Sequence, residues 1–164
     1  MQLLVADAGP LIALAVADVL PLAVKQFEFC VPQAVLDECL ADPYAPGAQA
    51  IFKVSCKSNF SLVASDLITP LDSAHSLGLG SGEVAVLSYA KQHSLIALID
   101  ERRARRVAKH VGVAVVGSGA VLVSLKNAGL VTSIVPALKA WQDHGYFLSS
   151  LVRQQLLSAA NEPA

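Results

Sequence analysis

Two of the chain's thirteen acidic residues stand directly after short apolar runs: Asp7 after LLVA and Asp100 after LIALI. A short apolar run of this kind reads as a strand buried on both faces. A carboxylate that follows it lies at the carboxyl end of that strand, the edge where ligands bind in open parallel α/β sheets. Glu83 opens the segment leading back into the Asp100 run, so it can reach the same edge. Glu38 lies on the segment after a second apolar run, in a less determined position. Carboxylates converging on one cleft raise one another's pKa unless a cation compensates. A cluster of oxygen ligands that leaves room for water suits Mg²⁺ or Mn²⁺. Such an ion activates water and stabilises the leaving oxygen of a phosphodiester.

Each acid also has a purely structural role open to it. Asp7 could bond to the free N–H groups of a following helix. Glu83 is favoured in a first helical turn by the helix dipole alone. Glu38 falls near a helix C-terminus, where the dipole disfavours it, and could be a solvated surface group. Asp100 could pair with Arg103 or cap the next helix. Asp37 and Glu101 read as solvated neighbours of the candidate ligands.

The elements that must position these groups alternate along the chain. Strands are expected at 1–6, 28–31, 61–64, 95–99 and 113–116, with 95–99 as the central one. Helices are expected at 10–17, 20–26, 33–40, 48–55, 82–92, 102–111, 117–128, 133–144 and 148–159. Proline in a first helical turn, as at Pro10, and breakers such as Asp42-Pro43 and Pro46-Gly47 set these limits. Gly78, Gly80 and Gly82 punctuate a loop. The alternation predicts an α/β fold: a mainly parallel central sheet flanked by helices on both faces. At 164 residues the chain is long enough for one domain with a proper core, over 1–160, followed by a frayed C-terminal tail at 161–164.

Composition narrows the function classes. The chain is 54% hydrophobic and 15% charged, with a net charge of −1 and mean hydropathy +0.55. The near-neutral balance argues against a strongly basic nucleic-acid coat, although a local basic patch is compatible with it. The high apolar content suggests covered strands or an apolar face for a partner, a second copy or a small protein. The most apolar stretch, 3–24, is broken by Asp7, Pro10, Asp18 and Pro21, so no membrane span is expected. No signal peptide is visible, and Cys30, Cys39 and Cys56 lack metal spacing. They read as buried free thiols of a cytoplasmic protein.

Other features carry less chemistry. Arg102, Arg103, Arg105 and Arg106 follow Asp100 on one helix and cannot all point one way. Arg102, Arg103 and Arg106 are candidates for contacts to a nucleic-acid backbone, and Lys126 is a further one. A solvated helix face paired to Glu101 is the plainer reading of the arginines. Gly117-Ser118-Gly119 lacks the third glycine of a dinucleotide turn, since position 122 is Leu122. His75, His93, His110 and His144 have no ligand spacing and read as surface groups. Trp141, Tyr146 and Phe147 read as packing for the last helices rather than as a platform for stacked bases.

Several segments, taken in order, resemble the PIN-domain family, and within it the toxin-like (VapC-like) PIN ribonucleases of prokaryotic toxin–antitoxin pairs. They are LLVADAGPLIALA at 3–15, VPQAVLDECL at 31–40, LGLGSGEVAVLSYA at 77–90, LIALIDERRARRVAKHVGVAVVGSGAVLVSLKNAGLV at 95–131 and GYFLSSLVRQQLL at 145–157. The resemblance implies a Rossmann-like PIN fold and a Mg²⁺- or Mn²⁺-dependent endoribonuclease acting on RNA. The family's acidic quartet falls on Asp7, Glu38, Glu83 and Asp100. Asp7, Glu83 and Asp100 would hold the metal, and Ser118 matches a small hydroxyl or acidic position near the site. Two departures are visible: Glu101 stands where relatives often carry a second aspartate, and Glu83 is longer than the aspartate of many PIN domains. A small antitoxin protein and a homodimer are the partners the resemblance implies. The rival expectation is a non-catalytic PIN-like module that binds a protein.

Overall fold

The computed structural model describes residues 1–72 and 78–164; His75 and the first residue of the 77–90 segment lie outside them. Five strands form one parallel sheet: β1 (Gln2–Ala6), β2 (Phe27–Pro32), β3 (Phe60–Val63), β4 (Ile96–Leu98) and β5 (Val115–Val116), in the order β3-β2-β1-β4-β5. Nine helices flank it among the described residues. They are α1 (Ala8–Val16), α2 (Leu20–Gln26), α3 (Gln33–Leu40), α4 (Ala48–Ser55), α5 (Ser81–His93), α6 (Arg102–Val111), α7 (Ser118–Asn127), α8 (Val135–Asp143) and α9 (Ser150–Ala159).

The inner strands are covered on both faces. Successive strand residues point to opposite sides, yet Leu4, Val5 and Ala6 are at most 1% exposed, and Ala97, Leu98 and Ile99 are fully buried. That is why both segments read as unbroken apolar runs rather than alternating ones. Every strand pair is parallel, with Leu4 opposite Ile96 and Ala6 opposite Leu98.

The middle strand of the order is β1, not β4. The chain builds β1, β2 and β3 outward on one side, then returns to place β4 against the other side of β1. The strand order therefore reverses between β1 and β4, and the crevice at their carboxyl ends is the topological switch point. The Asp7 amide donates to the Leu98 carbonyl at 3.1 Å, which holds the exits of the two strands side by side.

Some boundaries differ from the expectation for physical reasons. Helix α1 begins at Ala8 rather than Pro10, because Asp7 is the extended residue before it (φ −87°, ψ 165°). Pro10 then falls in the first turn, where its missing N–H breaks no bond. Gly82 is not in a loop but buried in the first turn of α5. Pairing confines β4 to three residues and β5 to two. Glu162 accepts hydrogen bonds from Ser133 Oγ at 2.6 Å and from the Ile134 amide at 2.8 Å.

No single helix among the described residues is long and apolar enough to cross a membrane. The apolar helices α1 and α2 meet at 116° and bury Leu11, Leu14, Leu20 and Ala23 completely in the core. Cys30 and Cys39 are buried free thiols, as expected, but Cys56 is exposed.

Candidate active site

The exit of β1 places Asp7 at the switch point, with only 6% of its surface exposed. Its carboxylate makes no side-chain capping hydrogen bond further into α1, and the amide that acts on it is that of Ala8, at the helix start. Its pKa is raised from 3.8 to about 6. Burial is the main cause; the Ala8 amide pulls the other way, and the charges of Glu83, Glu38 and Asp100 push it further up. All three of the other candidate acids therefore act on Asp7 electrostatically, as convergence on one cleft requires.

Each of these acids is set by a different element. Glu38 is exposed on the last turn of α3. Gly82 lets α5 approach it closely: a Cβ there would stand 3.1 Å from Glu38 Oε2, 3.3 Å from Val35 Cγ2 and 3.8 Å from Asp7 Oδ1. Asp7 and Glu38 thus flank the same point at the start of α5. Glu83, one position on, turns back so that its Oε2 accepts from the Gly80 amide at 2.8 Å. It therefore caps α5 as well as charging the cleft.

Asp100 leaves the end of β4 and is held by α7. Its Oδ1 accepts from the Ser118 amide at 2.8 Å, and its Oδ2 accepts from Ser118 Oγ at 2.7 Å. Ser118 is buried and Asp100 exposed, so the two bonds fasten a surface carboxylate to the core. The first amide of α7 is thereby committed to a protein carboxylate. Replacing Ser118 by Ala deletes the Oγ bond and keeps the amide bond. The expected result is about tenfold slower catalysis, from a bond to a charged group worth roughly 1.5 kcal/mol or more. Steady-state rates beside thermal melts check whether catalysis falls further than stability.

The arginines divide as helix geometry demands, though not by the members expected. Arg105 turns inward, donating from Nη1 to the Ile99 carbonyl at 2.9 Å. Arg103 lies over Gly78, where a Cβ would overlap its guanidinium. Arg102 lines a cleft beside Asp100, and Arg106 is exposed. Glu101, rather than Asp100, caps α6: its Oε2 accepts from the Ala104 amide at 2.8 Å. Lys126 is at the far end of α7 from Ser118. Its ammonium donates to the Thr132 carbonyl and stands 3.8 Å from Glu162 Oε1, so its charge is directed at the protein.

Two further residues join the site without having been singled out for it. Arg105 was one of four equivalent-looking arginines, and only the turn of α6 distinguishes it. Tyr146 lies close enough to Asp100 and Cys39 for their charges to raise its pKa, after burial as the main cause. Trp141 is core packing, as expected, with its indole N–H donating to the Ala13 carbonyl at 2.7 Å. Phe147 is not, being 88% exposed. His93, His110 and His144 are exposed, as surface groups should be.

A family model described as DUF3368, PIN domain, matches residues 3–162. The chain belongs to the PIN-domain family. No curated protein shows significant similarity to it. PIN domains are typically nucleases and generally use divalent metals, and the family implies a nucleic-acid substrate. The α/β PIN fold accounts for the five-stranded parallel sheet.

The donor set fits a hard divalent cation. It consists of carboxylate oxygens, one of them driven towards neutrality by burial first and by three like charges after it. Among the described residues, no three His, Cys, Asp or Glu side chains are close enough together to hold one ion jointly. A cation that keeps several of its own waters matches this spread arrangement, and Mg²⁺ has that habit.

Proposed function

We propose that this PIN domain is a Mg²⁺- or Mn²⁺-dependent endoribonuclease. The observation that carries the reading is Asp7: a buried carboxylate at the switch point, raised to about 6, among Glu38, Glu83 and Asp100. A group so disfavoured in its charged form is kept where a cation offsets the cost. Asp7, Glu83 and Asp100 would hold the ion, directly or through water, with Glu38 completing the set. The ion supplies Lewis acidity to a phosphodiester and to an attacking water.

The remaining residues orient and balance charge. Ser118 fixes the Asp100 carboxylate through two hydrogen bonds. Arg105, anchored on the Ile99 carbonyl, and Arg102, lining the cleft, offset charge on the phosphate. The exposed Arg103 and Arg106 contribute attraction to an RNA backbone at longer range.

The cellular reading is a toxin of a toxin–antitoxin pair, acting as a homodimer in the cytoplasm. It rests on the resemblance of the motifs. The exposed Tyr44 and Phe52, 89% and 59% accessible, are apolar surface available to a protein partner. The second reading, a binding module without catalysis, draws on the spread of the carboxylates.

The deciding experiment incubates the protein with a mixed RNA panel in Mg²⁺, in Mn²⁺ and in EDTA, beside the Asp100→Asn variant. Cleavage that requires both the metal and Asp100 is the expected result. A folded protein that cuts nothing under any of these conditions supports the binding module instead.

A further inference from the structure

The connection between α8 and α9 carries a feature that the carboxylate site does not use. Residues 144–149 turn through Gly145 in the left-handed region (φ +80°), and Ser149 caps α9 by accepting from the Val152 amide. The turn is anchored on both sides, by the buried Trp141 and by Leu157. Between these anchors Phe147 projects with 88% of its surface exposed. An aromatic ring held on a fastened turn and left in water gains nothing for the fold.

Phe147 lines a cleft of about 460 Å³ whose other walls include Tyr146, Leu156, Arg102, Ser118 and Asp100. Gly119 lets Leu156 close its floor, since a Cβ there would stand 2.8 Å from Leu156 Cδ2. The cleft thus runs without interruption from an apolar, aromatic end to the candidate catalytic carboxylate. Arginines line the same cleft. An unpaired nucleotide has this distribution of chemistry: a flat apolar base at one end and a phosphate at the other.

We infer that Phe147 and Tyr146 form a stacking subsite for an unpaired base of the RNA strand next to the phosphate held at Asp100. The inference rests on the nuclease reading for its substrate and goes beyond it in naming how the strand is gripped. Stacking on an aromatic side chain tolerates every base, because every base has a π-face. The subsite therefore selects single-stranded over paired RNA rather than one sequence over another.

The test uses the Asp7→Asn protein with Mg²⁺, so that turnover does not obscure binding. The probe is a short single-stranded RNA carrying 2-aminopurine, whose fluorescence is quenched when the base stacks. Adding Phe147→Ala should weaken binding by roughly 5- to 150-fold, the range for one lost base–aromatic stack, and abolish the quenching. Phe147→Trp should restore both, and Phe147→Leu should not. The melting temperature should stay unchanged in all three, because the ring is exposed. Unaltered binding and quenching in Phe147→Ala overturns the subsite, as does failure of the Asp7→Asn protein to bind the probe. The two readings fail separately. Metal-dependent cleavage with Phe147-independent binding removes the subsite and keeps the nuclease. Phe147-dependent binding without cleavage by the unaltered protein keeps the subsite and removes the nuclease.

Discussion

Asp7→Asn is expected to abolish RNA cleavage and, at the same time, to stabilise the fold above pH 6. The loss of activity follows from removing the most buried carboxylate of the site. Metal-supplied charge stabilisation is worth several kcal/mol, so its loss costs on the order of 10³-fold or more in rate. The gain in stability follows from proton linkage. Folded Asp7 holds its proton up to about pH 6, whereas its ordinary value is 3.8. Between those values the folded chain carries the extra proton, so stability falls as pH rises and the cost is complete above about pH 6. At 1.36 kcal/mol per pH unit the penalty is roughly 3 kcal/mol. Asparagine never ionises and escapes it. Thermal melts of the two proteins should coincide near pH 4 and separate progressively towards pH 7, with the variant higher. Divalent metal should raise the melting temperature of the unaltered protein at pH 7.5 more than that of the variant. A variant that is less stable than the parent at pH 7.5 would contradict the placement of Asp7 as an uncompensated buried charge.

Gly117→Ala should damage catalysis far more than folding. The backbone of Gly117 is ordinary extended chain (φ −106°), so alanine introduces no backbone strain. Its Cβ, however, would stand 2.9 Å from Asp100 Oδ1 and 3.0 Å from Arg105 Nη1. Both are far ends of flexible side chains, so they can yield at small cost to stability. Asp100 can yield only by straining its two bonds to Ser118. A displacement of about 1 Å at a reacting centre costs on the order of 10²-fold. Stability should change by no more than about 1 kcal/mol, as for most substitutions that neither open a cavity nor strand a charge. Cleavage rates and denaturant titrations on the same preparation separate the two effects. A variant with unchanged activity would show that the position of Asp100 does not matter to the reaction.

Much of the architecture was legible because punctuation and periodicity act locally. Helices α2, α3 and α4 fall at Leu20–Gln26, Gln33–Leu40 and Ala48–Ser55, the limits that Pro21, Pro32 and Gly47 impose on the chain. The strands were legible as apolar runs, but their lengths were not. Pairing with a neighbour ends a strand, and Val115–Val116 is short although the apolar run begins at Val113. Asp7 and Asp100 could be placed together from sequence because each ends a strand of one parallel sheet. That β1, not β4, lies in the middle depends on strand order, which no local pattern encodes.

Within the candidate site, residue type set the chemistry and tertiary structure set the assignments. Four carboxylates suited to a divalent cation can be read from the chain alone, since hard oxygen donors and like-charge repulsion are properties of the side chains. Which carboxylate is buried could not be read, because burial comes from the helices packed around it. It is Asp7 at 6%, while Glu38 and Asp100 stay at the surface. The neighbouring residues Asp100 and Glu101 look interchangeable as helix caps. The fold gives Glu101 to α6 and leaves Asp100 for Ser118. The four arginines look alike, and only the turn of the helix aims Arg105 at the Ile99 carbonyl. Phe147 looks like core and stands in solvent, because the turn that carries it is fastened by Trp141 and Ser149 rather than by its own ring. Sequence by itself determined the donor chemistry and the alternating α/β plan, both carried by short stretches of chain. Burial, charge pairing and the direction of each side chain were decided only when distant segments came together, because they depend on neighbours that local sequence does not specify.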